Sequence, residues 1–392
     1  MYSRRSFLAG ALTAGMLSTA AGYVLTRREP VVLTLATGAD TTGGRRQLIT
    51  MWNALNPDVR VDVKEINSST QDQFVKFRDS RADIYNLDVI HIPRFVAEKR
   101  IVSFEPRNDI SLLGPVRRLS ERPGTSEFWA VPFNADVGML FERIADKSDT
   151  ADPPSLQEVL REAPGQFVGQ LQTVGPQTDE AFVINVLEHA LAQDDAILDP
   201  EGRFSYSIGQ WRAALAPLAD AIRRRRIIVQ AGEDDTSRVF QRQNLRYMRN
   251  WPVRYPSIDL TESSEPETVE IRLGSLPIGI TGGQSLAVSA ETDHRDEAEQ
   301  VIHFLTDTPA QRLLATYGFA PTGTDAYIDP YLQASVPQLG AVRNAVEDSR
   351  PRPQHANYAE FSRRFADHVH RFLFRGEQLS TRFIEDVQEA LR

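Results

Sequence analysis

Short apolar runs alternating with amphipathic stretches constrain the fold of this chain more than any other feature. Val31-Val32-Leu33-Thr34-Leu35 is a nearly continuous apolar run, as expected of a strand buried on both faces. It gives way to the polar stretch Thr37-Gly38-Ala39-Asp40-Thr41-Thr42-Gly43-Gly44. Leu48, Met51, Trp52 and Leu55 then recur at i, i+3, i+4 and i+7, which predicts an amphipathic helix stopped near Asn56-Pro57. Val59, Val61 and Val63 alternate with Arg60, Asp62 and Lys64 at strand spacing. Leu87-Asp88-Val89-Ile90-His91-Ile92 reads as a further buried strand. The order β-α-β-α-β predicts an α/β protein with a mostly parallel sheet covered by helices.

A second unit follows "WAVPFNADVGMLF" (129–141). Ser155-Leu156-Gln157-Glu158 has capping-box form and opens a helix. Val183, Val186, Leu187, Ala190 and Leu191 give another helical stripe, and "LRYM" (245–248) is strand-like. "LAVSA" (286–290) resumes the strand style of the first unit, with Ala298, Val301, Ile302 and Leu305 marking its next helix. The segment from about Pro351 reads as helical, and Ser263–Glu267 as a short polar loop.

A chain of 392 residues is long enough for two domains, each with its own core. A net charge of −9 argues against a nucleic-acid partner, which wants a basic surface. With no cysteine there can be no disulfide, thiolate metal site, cysteine nucleophile or acylated lipoprotein anchor. Ser3-Arg4-Arg5-Ser6-Phe7-Leu8, followed by an uncharged run to Leu25, has the form of a twin-arginine export signal. The run is long enough for a bilayer but only weakly hydrophobic. Residues 1–29 are therefore expected to direct export, either cleaved near Ser18–Gly22 or retained as an anchor.

Enzyme signatures are missing: there is no G-x-S-x-G, H-E-x-x-H, P-loop, S-x-x-K or G-x-G-x-x-G. His368 and His370 lie two apart, so on a helix they do not face one ligand, and a solvated face is expected there. Arg223–Arg226 ends a predicted helix and complements its dipole. Asp194-Asp195 and Glu233-Asp234-Asp235 fall in turn-like, exposed contexts, which disfavours a glycosidase without excluding one. In open α/β sheets ligands bind beyond the carboxyl ends of strands. The residues found there are Asp40, Asn67, His91-Ile92-Pro93-Arg94, Asn134, Trp251 and Gly282-Gly283-Gln284. Amide, carboxylate and guanidinium groups with one aromatic ring are the mixture a pyranose needs, hydroxyls on one side and an apolar ring face on the other. Each residue alone reads equally as a turn former, a cap or packing.

Taken in order, "TGADTTGGRRQLITMWNALNPDVRVDVKEI", "LDVIHI", "FWAVPFNADVGMLF", "RYMRNWPVRYPSI", "GSLPIGITGGQSLAVSA" and "RPQHANY" resemble the extracellular solute-binding proteins of carbohydrate ABC importers, the maltose/trehalose-type family. The resemblance covers nearly the whole chain beyond the leader. It implies a two-lobed periplasmic-binding-protein type II fold with hinge crossovers and a cleft that closes on ligand. Lobe 1 is expected over 30–134 and 281–318, and lobe 2 over 135–280 and 319–392. It further implies a monomer that binds a carbohydrate, partners membrane permease subunits, and needs no cofactor, metal or catalytic residue. Asp40 corresponds to the first-strand loop, Asn134 and Asp136 to the hinge-proximal segment, and Gly282-Gly283-Gln284 to a close-approach loop. Trp251 corresponds to an aromatic that stacks on sugar, presented by a turn that Pro252 stiffens, and Arg352 to a C-terminal arginine that binds hydroxyls. Arg254 would flank the ligand while Arg249 points to solvent. Two departures bear on the ligand: Pro93-Arg94-Phe95 and Gly175-Pro176-Gln177 replace an Asp with a nearby Trp and a Glu-Gly-Leu of relatives. Losing acids beside Arg94 and Arg254 admits an anionic ligand.

Overall fold

Val31–Gly38 forms strand β1, which is buried on both faces only from Leu35 onward; over the first four residues burial alternates and Val32 is exposed, unlike the run buried on both faces that the sequence suggested. The structure, a computed structural model, describes residues 29–66, 70–106, 111–144, 153–162, 164–172, 180–258 and 269–392. The leader, Asn67, the 175–177 segment and the 263–267 loop lie outside the described residues.

β1 pairs in parallel with β2 (Val59–Ile66) and with β3 (Ile84–Asp88). Antiparallel to β3 runs the long β11 (Ile280–Ser289), which also pairs antiparallel with β4 (Ile101–Val102) and β5 (Val131–Asp136) and parallel with β12 (Arg350–Pro351). The second sheet has the order β10-β6-β9-β7-β8, built from Glu270–Ser275, Met139–Ile144, Tyr247–Asn250, Phe167–Gln170 and Ile227–Gln230. The chain passes from the first sheet to the second between β5 and β6 and returns between β10 and β11. Those two crossovers make the molecule two-lobed and hinged, the periplasmic-binding-protein type II arrangement expected from the sequence.

Each lobe has its own apolar packing. In the first, Leu33, Leu35, Leu48, Trp52, Val61, Val288, Ile302 and Leu305 pack together beneath helices Gly44–Leu55 and Arg295–Thr306. Met51 and Leu55, two of the four residues in the helical stripe, are exposed, and Ile49 takes the buried place. In the second, Phe204, Trp211, Phe361, Phe365 and Phe383 form an aromatic cluster between helices Ile208–Arg223, Tyr358–Arg375 and Thr381–Ala390. Helix Glu180–Leu191 is buried on nearly all sides, so its stripe spreads into an all-round apolar surface. The Ser155 capping box forms as predicted: Ser155 N–H and hydroxyl donate to Glu158 at 2.7 and 2.8 Å. Among the described residues no helix is long and apolar enough to cross a membrane.

Three local readings are corrected. "LDVIHI" is not one strand: β3 ends at Asp88, whose side chain accepts from Ile90 N–H at 3.1 Å and turns the chain into a 3-10 helix, Val89–His91. Pro93 then sits in the first turn of helix Ile92–Ala97, where its missing N–H costs nothing. Gly282-Gly283-Gln284 is not a loop but part of β11, with an irregular register just beyond Gln284. His368 is also less solvated than expected, since its Nε2 meets Asp386 Oδ2 at 2.7 Å between the C-terminal helices.

Candidate ligand-binding cleft

A cavity of about 970 Å³ lies between the sheets, at the crossovers. That volume is at the upper end of small-molecule sites. The first sheet's side supplies Asp40, Arg45, Asp88, Asn134, Asp136, Gly283 and Gln284, together with Tyr317 and Phe319. The second side supplies Glu180, the helix start Glu233-Asp234-Asp235, Arg238 and Arg254. Of the residues predicted from sequence, Asp40, Asn134, Asp136, Arg254, Gly283 and Gln284 thus meet in one place.

Their local chemistry differs from residue to residue. Asp40 caps its own loop: Oδ1 accepts from Thr42 N–H, Thr42 hydroxyl and Gly43 N–H, and Oδ2 from Arg46 N–H. Burial pushes the Asp40 carboxyl up, but the Arg46 amide, the Thr42 hydroxyl, the Arg45 charge and the Gly43 amide outweigh it and hold it below the usual range. Arg45 lies under the loop, donating to Thr37, to the Gly38 carbonyl at 2.7 Å and to Gln284 Oε1 at 3.1 Å. Asn86 donates to the same Gln284 oxygen at 2.8 Å, so the Gln284 amide is held with its N–H groups free of partners among the described residues.

Asn134 and Asp136 occupy alternate positions of β5, opposite Gln284 and Gly282 of β11. Asn134 is only 6% exposed, and among the described residues its buried Oδ1 has no hydrogen-bond partner. Burial raises the Asp136 carboxyl well above the usual carboxylate range; the nearby Glu233 and Asp88 charges add to this, against Arg249 and the Val137 amide. At Gly283 the backbone has φ +122, and a Cβ would strike the Asn134 carbonyl, so only glycine fits. Gly282 carries no such constraint: an added Cβ would meet Asp136 and Arg352 at ordinary distances of 3.6 and 3.7 Å, and it does not line the cavity.

Four expected ligand contacts lie elsewhere. Because β3 ends early, His91 falls in the lobe-1 core against the Phe74 ring, 5.3 Å away. Arg94 projects from the following helix, over Phe74 and paired with Glu98 at 2.9 Å. Trp251 is 6% exposed and packed into the lobe-2 core; the Arg249 guanidinium covers its face at 3.8 Å. Arg249 does not reach solvent. It is 1% exposed, forms a bidentate pair with Glu188 at 2.7 Å and donates to Gln170 at 3.0 Å. A Cβ on Gly138, in the first crossover, would strike this pair. Arg352 is buried behind the cleft wall, bonded to Glu180 at 2.8 Å and within 3.5 Å of Asp88, and so ties the two sides together.

Sequence reasoning missed Arg45, Asp88, Glu180, Tyr317, Phe319 and the Glu233-Asp234-Asp235 turn as cleft residues. Tyr317 and Phe319, both half-buried, are the aromatic rings that do reach the cavity. Their signal was faint: Tyr-Gly-Phe just after an amphipathic stretch. Arg254 is not free to meet an anion, being paired with Glu233 at 2.9 Å and with Asp234. Arg94 is likewise paired and outside the cleft, so neither basis for an anionic ligand stands. Among the described residues there is no cluster suited to a metal ion.

No protein-family model matches the chain. A probable ABC transporter-binding protein of Deinococcus radiodurans is 25% identical over 248 residues, covering 57% of this chain and 58% of that protein. The chain thus matches little more than half the length of that relative. Maltose-bound MalE3 of T. maritima superposes with TM-score 0.77 at 23% identity, over 92% of this chain and 99% of that one. The GacH receptor of Streptomyces glaucescens gives 0.75 at 15% identity, over 93% and 99%. UgpB from Mycobacterium tuberculosis, in complex with glycerophosphocholine, gives 0.71 at 13% identity, over 93% and 98%. The fold is therefore that of ABC-transporter solute-binding proteins.

Proposed function

We propose that this chain is an exported, non-enzymatic receptor that binds a carbohydrate between its lobes and delivers it to an ABC importer. The observation that carries this reading is the composition of the cleft at the crossovers. Carboxylates, an amide pair and guanidiniums surround a cavity of about 970 Å³ together with the rings of Tyr317 and Phe319. Fixed polar groups match ring hydroxyls, and a half-buried aromatic matches the apolar face of a sugar. Hinged lobes joined at β5–β6 and β10–β11 allow closure around the ligand, which is how a loaded receptor differs in shape from an empty one.

In this reading the site residues are Asp136, Asn134, Gln284, Gly283, Asp40 and Arg254, joined by Tyr317 and Phe319. The receptor acts as a monomer outside the cytoplasmic membrane, reached by the twin-arginine route. Lobe 1 comprises 30–134 and 281–318, and lobe 2 the remainder after residue 29. A micromolar ligand, roughly −8 kcal/mol, is within reach of one stacked ring and several hydrogen bonds. The test is a thermal-shift panel of mono- and oligosaccharides with chromatography of each mixture. A rise in Tm without product supports the receptor. Conversion of any sugar would instead make the chain an enzyme, and no response to any of them would end the carbohydrate reading.

A further inference from the structure

The charges in the cleft do not balance, and the imbalance has one centre. Each guanidinium that reaches the cavity is already engaged inside the protein. Arg254 holds Glu233 and Asp234, and Arg238 holds Asp235 at 2.8 Å. Arg45 is spent on Thr37, the Gly38 carbonyl and Gln284. Behind the wall, Arg352 serves Glu180 and Asp88, and Arg249 serves Glu188. Asp136 and Asp40 make no ion pair, but where donors of its own loop satisfy Asp40, Asp136 Oδ1 accepts only from Val137 N–H at 3.1 Å, and among the described residues Oδ2 has no partner. Two residues earlier, on the same face of β5, Asn134 also lines the cavity, and its fully buried Oδ1 has no partner among the described residues. A buried acceptor with no donor is costly unless something supplies one.

We propose that the cleft is built for an amine-bearing carbohydrate, a glycosamine or aminocyclitol, with its ammonium seated on the Asp136 carboxylate. This rests on the carbohydrate-receptor reading and names the ligand class within it. An ammonium brings three donors and a positive charge, which satisfies the open Asp136 oxygen and offsets the surplus of carboxylates. A neutral sugar would leave the Asp136 charge uncompensated, and an acidic one would meet it with repulsion. The raised pKa of Asp136 fits the same picture, because burial disfavours the bare carboxylate and a cation beside it would offset that cost. Glu233 and Asp88 press in that direction, while Arg249 opposes it. Arg352, beyond Gly282, is committed to its own two carboxylates.

The test is calorimetric titration of the protein at pH 7 with chitobiose, with its di-N-acetylated form, with maltose and with glucuronic acid. Chitobiose is expected to bind roughly tenfold to a hundredfold more tightly than its acetylated form, the size of one charge-assisted contact. Asp136→Asn should erase that preference, so that the variant no longer distinguishes the two sugars. Should the variant not fold, wild-type affinity for chitobiose over a pH series in which the sugar keeps its ammonium replaces it, and must rise with pH as Asp136 loses its proton. Equal or better binding of the acetylated sugar, maltose or glucuronic acid overturns the amine proposal and keeps the receptor. Silence from all four sugars and from the wider panel overturns both.

Discussion

Replacing Trp251 separates a packing residue from a binding residue, and the structure commits to packing. The ring is 6% exposed and belongs to the lobe-2 apolar core, with Arg249 over one face at 3.8 Å. A tryptophan buries about 200 Å², worth roughly 5 kcal/mol at 25 cal/mol per Å². Partial collapse of the site lowers the figure and the lost cation–π contact raises it, so Trp251→Ala should cost about 3–5 kcal/mol. For a lobe of this size that corresponds to a fall in apo Tm of roughly 6–20 °C. Tyr317→Ala is the matched control: its ring is half-buried at the cavity wall, and its loss should lower apo Tm far less while removing most ligand-induced stabilisation. Differential scanning calorimetry of both variants, with and without a stabilising sugar, decides the matter. An apo Tm unchanged by Trp251→Ala, together with lost ligand response, would refute the core assignment and restore the stacking role expected from sequence.

Three other outcomes follow from the same geometry. Glu188→Gln leaves the Arg249 guanidinium buried without its carboxylate and should cost about 3–5 kcal/mol, read as a shift of the denaturant midpoint. Gly283→Ala forces a Cβ into the Asn134 carbonyl at φ +122 and should cost roughly 1–3 kcal/mol and abolish binding, whereas Gly282→Ala, with room around its Cβ, should do neither. Burial, aided by the Arg249 charge, lowers the His189 pKa from 6.5 to about 3, so the unfolded chain binds a proton that the native protein refuses between those values. Its contribution to stability is complete above pH 6.5 and is lost as pH falls toward 3, at about 1.4 kcal/mol per pH unit, and Tm measured from pH 7 to pH 4 should fall less steeply in His189→Leu than in wild type.

The fold was legible because burial writes itself into periodicity. The runs at Val31–Leu35 and Leu286–Ser289 and the stripe Ala298, Val301, Ile302 and Leu305 lie where their patterns place them. Site residues were harder, since a polar residue after a strand looks the same whether it caps a helix or faces a cavity. Four residues decided two of the errors: ending the strand at Ile92 rather than Asp88 moved His91 and Arg94 to the ligand side on paper and into or outside the core in fact. The 248–257 stretch misled for another reason. Its irregular, arginine-rich surroundings suggested exposure, but Glu188, distant in sequence, makes Arg249 a buried residue and a lid over Trp251. No local pattern carries that pairing. Glu233-Asp234-Asp235 reads as a solvated turn for the same reason: only the packing of its helix against β9 turns it toward the cleft.

The central claim is that ligand binds between the lobes and draws on both. Hydrogen–deuterium exchange with the sugar that gives the largest thermal shift tests it most directly, because amide protection reports each lobe separately. Protection should appear together in 39–45, 134–136 and 316–320 from one side and in 232–238 and 253–257 from the other. Protection confined to one lobe, or centred away from these segments, would contradict the cleft as the site.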